Sequence, residues 1–308
     1  MVGLRRGLRR YPRSAFNRTL PTERCCFFLA KRRGTTIFGP QMKKRNPLRS
    51  TPWLRPALWG TIVLTSWLVC PLPASAAEPS LDLKTLPASK RVVVPKLRST
   101  ITVDGDLTEL AWAKAAVLKP FFKNDGSGRE RENTQVRLWY DDKALYLGWT
   151  CTDADVQATF TARDSKFWEE EVAEFFVTPK DLNRYFELQW NPLGGVFDAI
   201  IENDLDERGV SKNFTGDWSY TAKGMTSAAK LKGTAANSSD RDEFWQVEVR
   251  LPFADLGLPA PKAKEVWRAN FYRFNRGQDQ PVELLSWSPT MLPGFHQPSR
   301  FGYLEFGD

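Results

Sequence analysis

The chain after residue 97 is a long series of short apolar or alternating runs separated by turn residues. Such runs are typical of half-buried strands, and many of them in succession predict packed antiparallel sheets. The predicted strands are 101–103, 136–140, 144–151, 172–178, 185–190, 196–201, 218–222, 244–251, 267–274 and 301–306. Helix is predicted only within 107–117 and at 253–256, and the polar stretch 226–242 is predicted to be a loop. The sequence therefore predicts an all-β domain, a two-sheet antiparallel β-sandwich of jelly-roll or immunoglobulin-like type.

The first 76 residues differ in charge from the rest of the chain. They hold 15 Lys and Arg against one acidic residue, Glu23, whereas the remainder holds 29 basic and 35 acidic residues. The net charge of +8 thus combines about +14 from the first part with −6 from the second. Because the second part is acidic, we do not expect it to bind nucleic acid.

A segment of the basic part has the layout of an export signal. Basic residues follow Met42, an apolar stretch covers 57–72, and small residues end at Ala76. The apolar stretch is shorter than the ~20 residues of a membrane-spanning helix, so cleavage is favoured over anchoring, and a secreted or periplasmic location is expected. The predicted organisation is an over-extended, disordered N terminus (1–41), a signal peptide (42–76), a tether (77–97) and a binding domain (98–308).

One stretch sets a large aromatic residue among carboxylates. Residues 163–176, RDSKFWEEEVAEFF, place Trp168 next to three glutamates and six residues before Glu174. A pyranose ring has C–H faces that stack on aromatic planes, and Trp supplies the largest such plane. Carboxylates accept sugar hydroxyls in charge-assisted hydrogen bonds, each of about 1.5–3 kcal/mol. The stretch therefore predicts the rim of a sugar-binding site.

The predicted strand 185–190 carries two polar residues whose spacing places both side chains on the same face of the sheet. Glu187 and Gln189 are two positions apart and share one face of the strand. The alternate residues Phe186, Leu188 and Trp190 face the other way, toward the predicted core. Two interpretations stay open at this point. Either the two side chains bind hydroxyl groups of a ligand, or this face of the strand is simply exposed to solvent.

Several segments, in order, resemble the family 9 carbohydrate-binding module, a DOMON-like β-sandwich best known as an accessory domain of xylanases. They are ITVDGDLTELAW (101–112), VRLWYDDKALYLGWTCTD (136–153), RDSKFWEEEVAEFF (163–176), YFELQWNPLGG (185–195), FWQVEVRLPF (244–253), SWSP (286–289) and PSRFGYLEF (298–306). The resemblance therefore covers about 200 residues.

The resemblance implies a domain that binds the ends of sugar chains in a slot between two aromatic rings. Trp168 matches the first ring, and Phe295 falls at the second, which is usually Trp. Glu174 matches a carboxylate that binds sugar hydroxyls, while Glu187 and Gln189 fall at a cationic and an amide position of the family. The predicted ligand-binding residues are Trp168, Glu174, Phe295, Glu187, Gln189 and His296.

The resemblance also implies bound calcium and certain partners. Asp104, Asp106 and Glu109 form an oxygen-rich group suited to a structural calcium ion, although solvated turns carry the same residue types. The implied partner is an oligosaccharide or the end of a polysaccharide such as xylan. Because family members are often attached to glycoside hydrolases, such an enzyme is a further candidate partner, in the service of polysaccharide catabolism.

Two other functions remain open. Glycosidases use two acids about 5–9.5 Å apart, and the glutamates around Trp168 supply carboxylates, although no second acid is marked out and binding without catalysis is favoured. Related sandwich domains hold haem through axial ligands such as His, Met or Lys. The candidates here are His296, Met291 and Met225.

Overall fold

The structure, a computed structural model, describes residues 86–292 and 294–308, so the predicted segments 1–41 and 42–76 and most of the predicted tether lie outside the described residues. The strands of the described part are β1 (Arg91–Val94), β2 (Ala116–Leu118), β3 (Phe122–Lys123), β4 (Thr134–Tyr140), β5 (Ala144–Thr152), β6 (Val172–Thr178), β7 (Arg184–Trp190), β8 (Val196–Leu205), β9 (Ser211–Asp217), β10 (Thr226–Lys232), β11 (Phe244–Pro252), β12 (Val266–Asn275), β13 (Glu283–Ser286) and β14 (Gly302–Phe306). Helix is limited there to α1 (Leu110–Lys114) and to 3₁₀ turns at Phe167–Glu169, Phe253–Leu256 and Pro298–Arg300. None of these helical segments has the length and apolar character needed to cross a membrane.

The strands form a large and a small sheet. The large sheet has the order β1-β14-β12-β6-β7-β8-β9, with β13 also pairing with β12 and β3 pairing with β13. The small sheet has the order β10-β11-β5-β4-β2. Only β1 and β14 pair in parallel among the described strands. The prediction of an all-β, two-sheet sandwich is confirmed.

The core lies between the two sheets and is built from alternate residues of the central strands. Phe175 of β6 stacks on Phe271 of β12 with ring centroids 4.8 Å apart, and Phe271 packs 5.9 Å from Trp149 of the small sheet. All three side chains are buried. Burying one such apolar side chain stabilises the fold by about 1.5–3 kcal/mol, which explains why the alternating runs define the strands.

The outer face of the large sheet is also largely covered. Every residue of β6 is buried, although one face of this strand points away from the core. A second apolar cluster, the outer cluster, covers that face and contains Phe167, Val172, Phe176, Tyr185, Phe197, Ala199, Ile201, Tyr272, Phe295 and Phe301. The loops before β6 and before β14 supply Phe167, Phe295 and Phe301. The outer face therefore combines strand residues with loop residues.

The polar edge strands depart from the sequence prediction. Thr226–Lys232, predicted to be loop, forms β10, and Ser211–Asp217 forms β9 just before the predicted strand 218–222. Residues 101–103 and 218–222 were predicted to be strands and form none. Edge strands such as β9 are solvated, so their sequences lack the apolar alternation that reveals a half-buried strand.

The predicted tether also contains a strand. Residues 91–94 of the interval 77–97 form β1, which pairs with β14 at the edge of the large sheet. Val94 is fully buried, whereas the earlier residues of β1 are exposed or half-buried. The folded domain therefore begins before residue 98. The sequence did not predict β1 because the strand is short, lies close to prolines and buries only one side chain.

Candidate functional site

A row of four side chains crosses the outer face of the large sheet. Tyr272 of β12 pairs with Glu174 of β6, Glu174 pairs with Gln189 of β7, and Gln189 pairs with Phe197 of β8. Residues paired directly across strands lie on the same face, and neighbouring strands are about 4.8 Å apart, so the row is roughly 14 Å long. It places two polar groups in the middle and one aromatic residue at each end.

Glu187 lies beside this row. It pairs with Phe176, and it is therefore the diagonal neighbour of Glu174 across β6 and β7. The Gln189 Nε2 amide donates a hydrogen bond to Glu187 Oε1 at 2.6 Å. The structure thus brings together three of the residues predicted from sequence, Glu174, Glu187 and Gln189, in one polar patch.

Burial changes the protonation of this polar patch. Burial, reinforced by the nearby charge of Glu187, raises the pKa of Glu174 well above its usual range. Burial likewise raises the pKa of Glu187 to about 7, against the opposing effect of the hydrogen bond from Gln189. Because both pKa values are raised, the two carboxyl groups do not carry two full charges near neutral pH.

Several polar atoms of the patch have no protein partner. Within the described residues the Glu174 carboxylate and Glu187 Oε2 accept no hydrogen bond, and none of these oxygens is fully buried. The two residues are only 2% and 6% exposed, so little of their surface is open to solvent. Gln189 Oε1 is fully buried and unpartnered. Unmet hydrogen-bonding capacity on an aromatic surface is suited to a ligand rich in hydroxyl groups.

Trp168 stands at the β8 end of the row. Its ring is half-buried and packs edge-to-face on Phe197, with centroids 5.6 Å apart. The Arg276 guanidinium donates a hydrogen bond of 2.7 Å to the Trp168 carbonyl. The preceding Phe167 is buried against Gly195, where an added Cβ would come within 2.5 Å of the ring. The hydrogen bond to the Trp168 carbonyl and the packing of the preceding Phe167 thus both fix the position of Trp168.

The glutamates around Trp168 do not form one site. Glu170 accepts hydrogen bonds from two backbone N–H groups of the preceding loop, at 2.6 and 3.1 Å. Glu171 is buried near Arg273, with the closest carboxylate oxygen and guanidinium nitrogen 3.5 Å apart, and Glu169 is exposed. Of this group only Glu174 reaches the row, because it alone lies on the outer face of β6.

Phe295 covers the opposite end of the row. Its ring stacks on Tyr272, with centroids 4.1 Å apart and the planes at 15°, and it is only 4% exposed. The loop that carries it is held by Asn124, whose Nδ2 donates to the carbonyls of Leu292 and Gly294 at 2.9 and 2.7 Å. Trp168 and Phe295 therefore lie at opposite ends of the polar row, and Phe295 presents little free ring surface.

His296 adjoins the same face. Its Nδ1 lies 2.7 Å from the Tyr185 hydroxyl, and its ring stacks on Phe214 at 3.6 Å. Burial lowers the pKa of His296 to about 3, so the imidazole is neutral near pH 7. Within the described residues Nε2 has no partner, and it is not fully buried. His296 can therefore offer one donor or acceptor at the edge of the site, depending on its tautomer.

The remaining aromatic residues of the site were not predicted from sequence. Tyr272 and Phe197 close the row, and Tyr185 supports His296. Phe214 and Trp218, on and directly after β9, are the only exposed aromatic side chains of the described part. Positions 214, 216 and 218 have the period of a strand, and this spacing is the signal that could have identified the last two residues.

The residues predicted to hold calcium do not converge. Asp106 forms an ion pair with Lys230, Asp104 accepts the backbone N–H of Asp106, and Glu109 accepts the backbone N–H of Thr102. The described residues contain no group of three His, Cys, Asp or Glu side chains placed to hold a metal ion. Glu109 Oε2 is buried without a partner, but the set does not fit a calcium cage as it stands. Calcium binding stays a prediction.

The residues considered as haem ligands lie in three different environments. The Met291 side chain lies against Gly126, where an added Cβ would come within 2.4 Å of its terminal carbon. Met225 packs on the core between the sheets, and His296 is engaged with Tyr185. The structure therefore does not aim the three side chains at a common centre.

Comparisons with known proteins identify the family and the fold. A family model described as "Carbohydrate-binding family 9" matches residues 130–306, which is more than half of the chain. Among solved structures, one from Bacteroides uniformis ATCC 8492, a putative carbohydrate-binding protein, has 20% identity and a TM-score of 0.53, over 71% of this chain and 100% of that chain. That likeness concerns the fold. No curated protein sequence matches the chain.

Two further structures are of a family 9 carbohydrate-binding module from Caldicellulosiruptor kristjanssonii. One is in complex with cellotriose and shows 15% identity and a TM-score of 0.48, over 71% of this chain and 94% of that chain. The other is in complex with glucose and shows 16% identity and a TM-score of 0.48, over 71% and 97% of the two chains.

Proposed function

This chain belongs to carbohydrate-binding family 9, and from that premise we propose that its β-sandwich binds the end of a sugar chain without catalysing a reaction. The observation that supports this site most directly is the set of unpartnered oxygens on Glu174 and Glu187. They lie in the middle of a face otherwise built from aromatic residues. Such a surface matches a ligand with apolar ring faces and a rim of hydroxyl groups.

In this proposal each predicted residue has a defined task. The indole of Trp168 stacks on a pyranose face, and Phe295 closes the other end of the row. Glu174 and Glu187 bind the hydroxyls at the edge of the ring, and Gln189 holds the Glu187 carboxyl group in place through its Nε2 hydrogen bond. A hydrogen bond to an ionised carboxylate contributes about 1.5–3 kcal/mol. A protonated carboxyl group donates as well as accepts, so the pair is able to match hydroxyls of either orientation. His296 Nε2 reaches a hydroxyl at the rim.

Calorimetric titration of the full chain against mono- and oligosaccharides tests the proposal. We expect saturable binding by the wild type and its loss in Trp168→Ala, with an unchanged melting transition. Leu110→Ala is the matched control, because Leu110 is also apolar and exposed but lies on α1, which packs on the small sheet through Trp112. Equal affinity of wild type and Trp168→Ala would contradict the site assignment.

The cellular setting is a further part of the proposal. The signal-like segment 42–76 supports export, and the family supports a role in polysaccharide catabolism beside a glycoside hydrolase, with xylan as one candidate substrate. Fractionation of cells that express the full chain tests export, and co-purification with secreted hydrolases tests the partnership. Retention of the chain in the cytoplasm would contradict export. Recovery of the chain without any hydrolase would contradict the partnership.

One observation favours a catalytic alternative. Glu174 and Glu187 are neighbouring carboxyl groups, and burial raises the pKa of both, which is the state that a general acid of a glycosidase requires. Release of reducing sugar by the full chain, lost in Glu174→Gln, would establish hydrolysis. Absence of release at concentrations that saturate binding would favour the non-catalytic proposal.

A further inference from the structure

Two exposed aromatic side chains, on β9 and directly after it, lie along one edge of the large sheet. Phe214 is 43% and Trp218 is 49% exposed, and no other aromatic residue of the described part is exposed to this degree. We call this pair the aromatic shelf. Exposed apolar patches on a folded domain mark surfaces that contact a ligand or a partner.

The shelf faces the same side as the polar row. Phe214 pairs with Asn203 of β8, and Gly216 pairs with Ile201. Alternation along the strand therefore turns positions 214, 216 and 218 toward the outer cluster. A Cβ added to Gly216 would lie 2.7 Å from Trp218 Nε1, so the glycine leaves room for the indole to lie directly over this position of the strand.

The shelf is continuous with the proposed sugar site. Trp218 packs edge-to-face on Trp168 at 5.8 Å and on Phe197 at 5.4 Å. At its other end Phe214 stacks on His296 at 3.6 Å. Both members of the shelf thus contact a residue that the sequence assigned to the site, while each keeps a large free surface.

We propose that the aromatic shelf is a second sugar-stacking subsite, which takes the sugar unit next to the one held at Trp168. This inference rests on the proposed function and extends it, because it makes the ligand an oligosaccharide of two or more units and not a single sugar. The two indole centroids are 5.8 Å apart, which is comparable with the advance from one pyranose to the next along a chain, and the ring planes are inclined at 70°, so a chain that stacks on both rings must turn between the two units. Trp218 then adds stacking energy that only a longer ligand can use.

A second copy of the chain is the competing occupant, because the outer edge of β9 has no neighbouring strand among the described residues. Pairing through that edge would use backbone N–H and C=O groups in the plane of the sheet. The aromatic rings project from the face of the sheet instead, toward the polar row. The orientation of the shelf therefore favours a ligand that already occupies that face.

Titration of the full chain with glucose, cellobiose and cellotriose, and with xylose, xylobiose and xylotriose, tests the inference. In the wild type we expect affinity to rise with chain length in one series. In Trp218→Ala we expect a loss of affinity that grows with chain length and is about 3- to 10-fold larger for the longer sugars than for the monosaccharide. Trp218→Phe should retain most of the gain, and Leu110→Ala is the control.

The other outcomes separate this inference from the proposed function. Equal wild-type affinity for one, two and three units would overturn the second subsite and leave sugar binding in place. An equal loss for all lengths in Trp218→Ala would show that Trp218 only supports Trp168. Absence of binding to any sugar would overturn the proposed function and the inference with it. A dimer in light scattering that Trp218→Ala converts to monomer would assign the shelf to self-association.

Discussion

Glu174 on β6 and Glu187 on β7 are diagonal neighbours across two paired strands, and in the described residues no cationic side chain pairs with either of them. Two carboxyl groups so placed cannot both ionise freely, and burial adds to the cost of charge. The domain retains this cost although apolar residues would fit an aromatic surface better. We interpret the pair as a functional feature with a measurable effect on stability.

The first prediction concerns the pH dependence of stability. The folded pKa of Glu187, about 7, is above the value of 4.5 for an unperturbed glutamate. Its contribution to stability is therefore fully present below about pH 4.5 and is lost as the pH rises through 7. Glu187→Gln removes this titration, so between pH 4.5 and 8 the free energy of unfolding of the variant should rise relative to wild type, by an amount on the order of a few kcal/mol.

Urea denaturation at a series of pH values measures this difference. Glu169→Gln is the control, because Glu169 is exposed and lies outside the polar patch. The control should follow the wild-type pH profile. Parallel profiles for wild type and Glu187→Gln would show that the buried pair is not strained.

The second prediction concerns the contribution of Glu174 to affinity. Glu174→Gln keeps the size of the side chain but replaces one carboxyl oxygen with an NH₂ group, which only donates, so a ligand hydroxyl that donates to this oxygen loses its partner. A loss of about 1.4 kcal/mol or more, which is tenfold or more in affinity, is expected in calorimetric titration. The control is Glu202→Gln on β8, whose carboxylate is exposed and pairs with Arg184. Similar effects of the two substitutions would remove Glu174 from the site.

Part of this architecture follows from the sequence, and part requires the fold. The strands around the core follow the predicted runs because burial on one face imposes apolar alternation. The predicted strands 136–140 and 144–151 form β4 and β5, joined by a turn in which the Asp141 N–H donates to the Ala144 carbonyl. The row from Tyr272 to Phe197 could not be predicted from one sequence. It depends on the register among four strands, and register is not encoded in any one strand.

A buried arginine in the interior is a second feature that could not be predicted from the sequence alone. Arg273 lies on the core face of β12 and is fully buried, with its guanidinium 2.8 Å from Asp153 and 3.5 Å from Glu171. The sequence around it reads as an ordinary alternating strand, in which an arginine is expected to face solvent. Two acids more than 100 residues away in the chain determine its environment, so only the fold reveals it.

The third prediction follows from this buried ion pair. Arg273→Met leaves Asp153 and Glu171 buried without their cation, and such uncompensated charge costs about 3–5 kcal/mol. Urea denaturation at pH 7 should show a loss of that size. Arg91→Met is the control, because Arg91 pairs with Glu305 at the surface, where ion pairs contribute roughly 0–1 kcal/mol. A loss below 1 kcal/mol for Arg273→Met would mean that the acids take up protons or water without cost.

The last prediction uses a glycine to move Trp218 without truncating it. A Cβ at Gly216 would lie 2.7 Å from Trp218 Nε1, so Gly216→Ala forces the indole off the sheet face while the strand itself can accept alanine. Tryptophan emission should shift to longer wavelength as the ring becomes more solvated, and the preference for longer sugars should fall as in Trp218→Ala. Gly128→Ala is the matched control, because an added Cβ there meets nothing within 4 Å. If Gly216→Ala moves the emission but leaves the chain-length preference intact, the indole contributes to ligand binding in more than one position, and its placement over Gly216 is not what selects the longer sugar.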